Sequence, residues 1–562
     1  MYFIIFFIVL LLLAVPLGRY IASVFSGQQP LFMRWLRPVE RIIYRLCGID
    51  EGEEMTWKQY AGSFCILTLF GIAFLFILER IQGGLPFNPQ HLGAVRWDTA
   101  LNTAISFATN TNWQSYGGET TMAYFTQMLG LTTPNFVSAA AGIASCIAFL
   151  RGFMRKSCST IGNFWVDVTR SILYILLPLS IICSVVLVSQ GVVQTFRGYP
   201  RVQTMEGESQ VIAVGPAASQ VAIKQLGSNG GGFFNANSSH PFENPTPFSG
   251  FVELLAILLI PAAMPFAFGA LTNRRRAGWV FFCSMALLFC VGFLIAASAE
   301  HRGNPLFTGA GIAGNANMEG KEVRFGVTES VLWGQATTVT SNGSVNAMHD
   351  SFLPGTSIPL IFNMAIGEVI FGGVGVGLIG IFFYAILTMF LCGLMIGRTP
   401  ELLGKKLEPL EMVMAVIALI GPCVFLLIMI AVGVASPLGL ASRGNLGPHG
   451  FTEIVYACAS AMGNNGSAFA GLSANTIFYN LLTGFGMLAG RFLTILPALF
   501  IAGSLARKRT FPTSSATFPV ENPLFIVILC GVIVIVGALT FFPVLVIGPF
   551  LEHLQLMSGI MF

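Results

Sequence analysis

Charged residues are scarce in this sequence. They make up 10% of its 562 residues, where an ordinary soluble domain carries about 25%, and that excludes a water-soluble globule. The 29 basic and 25 acidic side chains nearly balance at +4. The basic ones are scattered among short loops, so no nucleic acid partner is expected. None of the 11 cysteines falls in a C-x-x-C spacing, and Cys183, Cys283, Cys290, Cys423 and Cys530 lie in apolar runs. Neither a disulfide framework nor a zinc site is supported. Two further absences concern energy coupling. There is no D-K-T-G-T phosphorylation segment and no GxxxxGK(S/T) loop, since "GRTPELLGKK" has the wrong spacing. Such a chain is not expected to use ATP by itself.

What the sequence has in quantity is apolar length. Hydrophobic residues reach 54% and the mean hydropathy is +0.76, and about 20 apolar residues cross a bilayer as a helix. Ten spans are predicted near 2–25, 60–82, 122–150, 171–191, 249–271, 279–299, 357–396, 411–435, 475–503 and 523–549. The opening "MYFIIFFIVLLLLAVPLGRY" has no basic stretch ahead of its apolar run, and its first positive charge is Arg19. It reads as a retained anchor rather than a cleaved signal. With the N-terminus outside, the loops 28–58, 151–170, 272–278, 397–410 and 504–512 face inward and hold 18 of the 29 basic residues. Positive charge concentrates on the cytoplasmic side, so both termini are expected outside.

The long outward segments carry the polar chemistry. Four of them run a short helical stretch into an Asn/Gly-rich turn: "DTALNTAISFATNTNWQSYGGET" from Asp98, "PAASQVAIKQLGSNGGGFFNANSS" from Pro216, "VTESVLWGQATTVTSNGSVNAMHDS" from Val327 and "GFTEIVYACASAMGNNGSAFAGLSAN" from Gly450. With Gln114, Gly230, Gly343 and Gly466 taken as equivalent points, the spacings are 116, 113 and 123 residues, an internal repeat. Stretches of about 12 to 15 residues span roughly 18–22 Å and cannot cross a hydrocarbon core of about 30 Å, so each is expected to enter and return on one side. Four amphipathic helices on the outer face are the alternative. Irregular backbone at membrane depth persists only where protein buries it or it lines a water-filled path. Backbone carbonyls there can replace a cation's hydration shell. The turns hold no ring of acids and no Arg or Lys, which favours a monovalent cation over a divalent ion or an anion.

At the level of whole motifs the chain resembles the potassium-binding A-subunit family of bacterial Kdp potassium-transporting ATPases, in the superfamily of potassium transporters. The residues that carry the resemblance include "MTWKQY", "LNTAISFATNTNWQSY", "GSNGGGFFNANSSHPFENPT", "NMEGKEVRFG", "GEVIFGGVGVGL", "LMIGRTPELLGKK", "GPHGFTE" and "NNGSAFAGLSANT". It implies an all-α polytopic membrane protein with four pseudo-symmetric helix–pore loop–helix repeats around one pore and an extra helix at each end. The divisions are 1–57, then repeats 58–168, 169–276, 277–408 and 409–510, then 511–562. It implies a K+ selectivity filter of Thr111, Asn112, Trp113 and Gln114; Ser228, Asn229 and Gly230; Ser341, Asn342 and Gly343; and Asn464, Asn465 and Gly466. Gln114 stands out because a change there weakens potassium selection in the family. K+ is the only ion or cofactor expected. The implied partners are a P-type ATPase chain (the B-subunit), a C-subunit and a small single-span F-subunit of the Kdp complex.

Two features inside the spans are singled out. "GEVIFGGVGVGLIG", Gly367 to Gly380, interrupts a seventh span of nearly 40 residues that is too long for one crossing. Close packing through small residues is one reading. A broken helix whose middle crosses the pore below the filter explains both the glycines and the length, and the resemblance implies that this loop, with Glu368, Gly372 and Gly373, gates the path. Arg491, deep in the ninth span, is costly without a partner or a role and is expected to face the pore and pair with Glu368 or loop carbonyls. His240 and the pair His349–Asp350 read as isolated turn or cap residues. A self-sufficient potassium channel or symporter of the same superfamily remains the alternative, and a membrane-embedded enzyme lacks any nucleophile–base pair in the turns.

Overall fold

Ten helices long and apolar enough to cross a membrane are present among the described residues of the computed structural model, which covers 1–27, 31–309, 311, 316–397, 400–510 and 518–559. Arg398, one of the predicted inward charges, lies outside them. The first two helices are α1 (Tyr2–Phe25) and α2 (Leu31–Cys47), and α3 (Trp57–Ile81) follows. A short α4 (Trp97–Ala108) precedes the long α5 (Thr126–Met154). After α6 (Phe164–Ser189) a second short helix, α7 (Ala217–Leu226), leads to α8 (Pro247–Leu271) and α9 (Arg275–Arg302). The third short helix is α10 (Gly326–Val339), followed by α11 (Pro354–Ala365), α12 (Val376–Ile396) and α13 (Pro409–Ala435). The fourth, α14 (Gly447–Gly463), precedes α15 (Ile477–Arg507), α16 (Pro523–Leu545) and the short α17 (Leu551–Met557). Strand structure is limited to three two-stranded ribbons among the described residues.

Small residues set the close contacts, as they must where lipid supplies no hydrophobic drive between helices. A side chain on Gly18 of α1 would lie 2.5 Å from the Ala263 carbonyl oxygen of α8, and one on Gly152 of α5 would lie 2.6 Å from Ala502 Cα of α15. Each short helix packs against the helices that precede and follow it in the chain. Its buried face includes Thr103 and Ser106 in α4, Lys224 and Gln225 in α7, Gln335 and Thr337 in α10, and Glu453 and Ser460 in α14. The polar core of the molecule therefore sits where the four short helices end.

The seventh span is broken as expected. Helix α11 stops at Ala365, α12 begins at Val376, and the intervening backbone takes positive φ at Gly367, Glu368, Phe371, Gly372 and Gly375. The short helices are less uniform than expected, at 12, 10, 14 and 17 residues. The fourth, expected from Gly450, begins at Gly447, so that Thr452 and Glu453 lie in its second turn. Glu453 there reaches back to accept from the Gly444 and Asn445 amides at 2.8 and 3.0 Å, satisfying donors ahead of the helix. The segment 28–58, expected as a plain basic loop facing inward, proves to contain a helix, α2.

Candidate functional site

All four short helices end the same way. The residue closing each takes a left-handed conformation: Asn110 at φ 66°, Ser228 at 49°, Ser341 at 52° and Asn464 at 58°. The next residue turns back, so that the amides of Thr111, Asn229, Asn342 and Asn465 donate to the carbonyls of Ser106, Lys224, Thr337 and Ser460, at 2.9, 3.0, 3.2 and 2.8 Å. Each bond reaches five residues back, which fixes the register of the four turns independently of residue type. In that register Asn112, not Gln114, is the counterpart of Gly230, Gly343 and Gly466. The alignment of Gln114 with the three glycines is thus two residues out. The look of the loop suggests it, whereas backbone pairing decides the register.

The tips meet in a closed ring. A side chain on Gly230 would fall onto the Gly343 amide nitrogen, and one on Gly343 would lie 2.8 Å from the Gly466 carbonyl carbon. One on Gly466 would fall onto the Thr111 carbonyl oxygen, and Asn112 Nδ2 donates to the Gly230 carbonyl at 3.0 Å. Glycine is required at these contacts because no Cβ fits, and at Gly230 and Gly466 also because φ is 74° and 90°. Side-chain amides tie each turn to a neighbour. Asn229 Nδ2 donates to Asn110 Oδ1 at 2.6 Å, Asn342 Nδ2 to the Lys224 carbonyl at 3.2 Å and Asn465 Nδ2 to the Thr337 carbonyl at 2.8 Å. The fourth seam is closed by Asn464 Nδ2 donating to Thr111 Oγ1 at 3.0 Å. Buried polar groups with all these partners hold one geometry.

Gln114 has a different place. Its Oε1 accepts from the Gly232 amide at 2.7 Å and its Nε2 donates to the Gly232 carbonyl and to Tyr116 Oη, both at 3.1 Å. It clamps the first turn to the second just above the ring. Trp113 is buried beside it. On this side opens a vestibule of about 690 Å³ lined by Asn112, Trp113, Gln114, Gly231, Gly343 and Gly466 among others. On the other side is a smaller cavity of about 60 Å³, bounded by Asn110, Ser341, Asn464, Glu368, Gly373 and Arg491.

The break in the seventh span forms the floor of that smaller cavity. The Gly372 amide donates to the Val339 carbonyl at 2.9 Å, and a side chain on Gly373 would lie 3.1 Å from Ser341 Cβ. The loop is therefore held against the end of α10. The Glu368 carboxylate is buried beside Ser341 and Asn465 and has no ion-pair partner among the described residues. Arg491 does not pair with Glu368 or with the loop's carbonyls. Its Nη2 donates to the Ser138 carbonyl of α5 at 2.9 Å, while its Nε has no partner among the described residues. The expected pairing is corrected to this extent: both groups line one cavity, but the arginine is anchored on α5. Ser138 in turn donates to Asn110 Oδ1 at 2.8 Å, so the anchor sits behind the first turn.

Several residues of the site were missed in the sequence. Asn135 and Ser138 lie in α5 and accept from or donate to Asn112 and Asn110. Polar residues in an apolar span were the available signal. Lys224 reads as a loop charge, but it is fully buried in α7. Its Nζ donates to Asn237 Oδ1 at 2.9 Å and Ser238 Oγ at 3.1 Å and is ion-paired with Glu243. Gln225 links the same network across to the third turn through Ser344 Oγ at 2.9 Å and to Glu253 at 2.8 Å.

The histidines divide. His240 caps its own turn as expected, accepting from the Phe242 amide at 3.1 Å. His349 is buried against Tyr456 Oη at 2.7 Å, and burial together with the Lys321 charge pushes it down to about 3, so it is neutral. Asp350 is not isolated. His449 lies between Asp350 at 3.0 Å and Glu552 at 2.7 Å, and although burial opposes its charge, the two carboxylates raise it to about 10. An imidazolium with both nitrogens engaged joins the start of α14, the segment after the third turn and α17. A raised folded-state pKa gives stability that is full below the unfolded value of about 6.5 and is lost as pH climbs through about 10. The His449→Gln variant is expected to lower the unfolding temperature clearly at pH 6 and hardly at all above pH 10. Equal losses at both would contradict a charged clamp.

Ten apolar helices closed around a ring of four polar turns, with a cavity on each side, define a multi-pass membrane transport protein. The chain matches the family described as Potassium-transporting ATPase A subunit over residues 4–554 and belongs to it. It is 53% identical to a potassium-transporting ATPase potassium-binding subunit of Herpetosiphon aurantiacus, covering 98% of each chain. A protein of the same name from Methylococcus capsulatus is 52% identical, again over 98% of each. Another from Mesorhizobium japonicum is 53% identical over 98% of this chain and 96% of its own.

Proposed function

We propose that the four turns form a selectivity filter that takes potassium from the extracytoplasmic side and passes it to a separate ATP-hydrolysing chain of an uptake pump. The observation that carries this reading is the closed ring of Asn112, Gly230, Gly343 and Gly466 between two cavities. Four backbone turns brought together without an acid or a base suit a desolvated monovalent cation, for which carbonyl oxygens replace water. The C-terminal ends of the short helices add partial negative charge at the same place. The vestibule gathers ions in front of the filter, and the loop around Glu368, Gly372 and Gly373 closes the direct route behind it. Arg491, buried at the edge of the inner cavity, limits how far a cation advances, because a fixed positive charge there repels it.

On this reading the relatives' name extends to the present chain. The P-type B-subunit would hydrolyse ATP, and the C- and F-subunits would complete the complex, in a bacterial inner membrane with both termini outside and the repeats bounded near 58, 169, 277, 409 and 510. An autonomous channel or symporter would transport without such a partner. ATP-driven uptake by the reconstituted complex, comparing potassium, rubidium and sodium for Gln114 and Gly230 variants, tests the filter. Discrimination against rubidium and sodium is expected to fall in both, and unchanged selectivity would sink the assignment. Full transport by this chain after deletion of the ATPase partner would favour the autonomous reading instead.

A further inference from the structure

Helix α2 follows α1 after a short connection and lies at the end of the bundle where α6 begins. Successive residues turn by about 100° around a helix, and by that measure α2 has three faces. Met33, Glu40 and Tyr44 form a buried face toward α1 and α6. It is fixed by Glu40, the helix's single acid, which accepts from Arg170 Nε at 2.9 Å and from Tyr44 Oη and Tyr174 Oη at 2.7 Å each. A second face is apolar and open: Trp35 is 80% exposed, Ile42 57%, Leu46 80% and Val39 42%. The third carries Arg34, Arg41 and Arg45, while Arg37 lies half-buried at the edge of the buried face. All three are exposed and bond to no described residue. The acids that follow α2 are largely committed elsewhere, Glu51 to Arg170 and Glu54 to Arg155, while Asp50 accepts from the Gly52 amide at 2.8 Å.

We propose that α2 is an interfacial helix that docks on an anionic phospholipid leaflet, with Trp35, Val39, Ile42 and Leu46 in the acyl boundary and Arg34, Arg41 and Arg45 on the phosphodiester headgroups. Charge complementarity selects this occupant. The helix's only carboxylate is buried and paired inside the protein, so what it presents outward is an apolar stripe beside a purely cationic one, the pattern of helices that lie in the plane of a membrane. Its position supports the same occupant, because it begins a few residues after a membrane span ends and packs on the first turns of another. The stripe is thus set at the level of the headgroups of the adjoining leaflet. The side concerned is also the one on which the basic loop residues concentrate.

Each basic side chain near an anionic leaflet strengthens binding about fivefold, so three together contribute about a hundredfold. The test uses the full chain in nanodiscs of phosphatidylcholine alone or mixed with phosphatidylglycerol, reading amide hydrogen exchange across residues 31–47. Exchange is expected to slow tenfold or more when phosphatidylglycerol is present. The triple variant Arg34→Gln, Arg41→Gln, Arg45→Gln should erase that difference, and it breaks no contact of the fold. The variant Trp35→Ser, Ile42→Ser, Leu46→Ser should speed exchange in both lipids. Equal exchange of the natural chain in the two lipids would overturn the proposal. Protection that appears only when an ATPase partner chain is added would overturn it too, assigning the stripe to a protein.

Discussion

On the proposed filter reading, replacing Gly466 by alanine is expected to abolish potassium-stimulated activity of the pump complex, or to lower its apparent potassium affinity at least a hundredfold. Its φ of 90° disfavours any side chain, and a methyl there would occupy the position of the Thr111 carbonyl oxygen. Neither partner can retreat. The Thr111 amide is bonded to Ser106, its hydroxyl is held by Asn464, and the Gly466 amide is bonded to Ser460 Oγ at 3.0 Å. The strain therefore opens the seam between the last turn and the first, where a displacement of about 1 Å is enough to cost two orders of magnitude in a preorganised site. Gly62→Ala is the control, since open space surrounds that position. Potassium-stimulated ATP hydrolysis over a range of potassium concentrations gives the answer. A Gly466→Ala protein with the natural half-saturation would refute a tight ring.

The second large effect belongs to Lys224. Breaking a buried ion pair by removing one partner costs about 3–5 kcal/mol, because the other charge is left unpaired. Lys224→Met does this to Glu243, which is fully buried and also accepts from the Phe234 amide at 2.9 Å. The damage reaches the ring because the Lys224 carbonyl receives the Asn229 and Gly230 amides and the Asn342 side chain. Lys224→Met should sharply reduce the yield of folded protein and lower its unfolding temperature in detergent. The double variant Lys224→Met with Glu243→Gln should recover most of the loss. If the double variant is as unstable as the single one, the pairing is not what matters there.

The sequence shows the membrane architecture well because apolar length is a direct physical requirement. The first span, 2–25, coincides with α1, and 249–271 and 411–435 come within two residues of α8 and α13 at each end. The broken seventh span is equally readable, since six glycines in a segment too long for one crossing leave few other solutions. Finer features depend on partners that are distant in the chain. Asn112 hides its equivalence to three glycines because only the backbone pairing of Thr111 with Ser106 sets the register. Arg491 advertises the need for a partner but not its identity, and Ser138 is 353 residues away. The charges of α2 are visible in sequence as a count. Their arrangement on one face needs the helix, and the sorting of Glu40 to the inside needs Arg170 and Tyr174.

The ring has three corners of glycine and one of asparagine, and all four lie on a single chain. A pore assembled from four identical copies has no such freedom, since every substitution appears four times and its effects multiply together. Here each corner is encoded separately, so the four need not be alike. Asn112 is such an independent corner: its amide spans from Asn135 to the Gly230 carbonyl, a pair of bonds for which the glycine corners have no atoms. A ring on one chain can therefore carry at one corner a side chain that the other three have no room for.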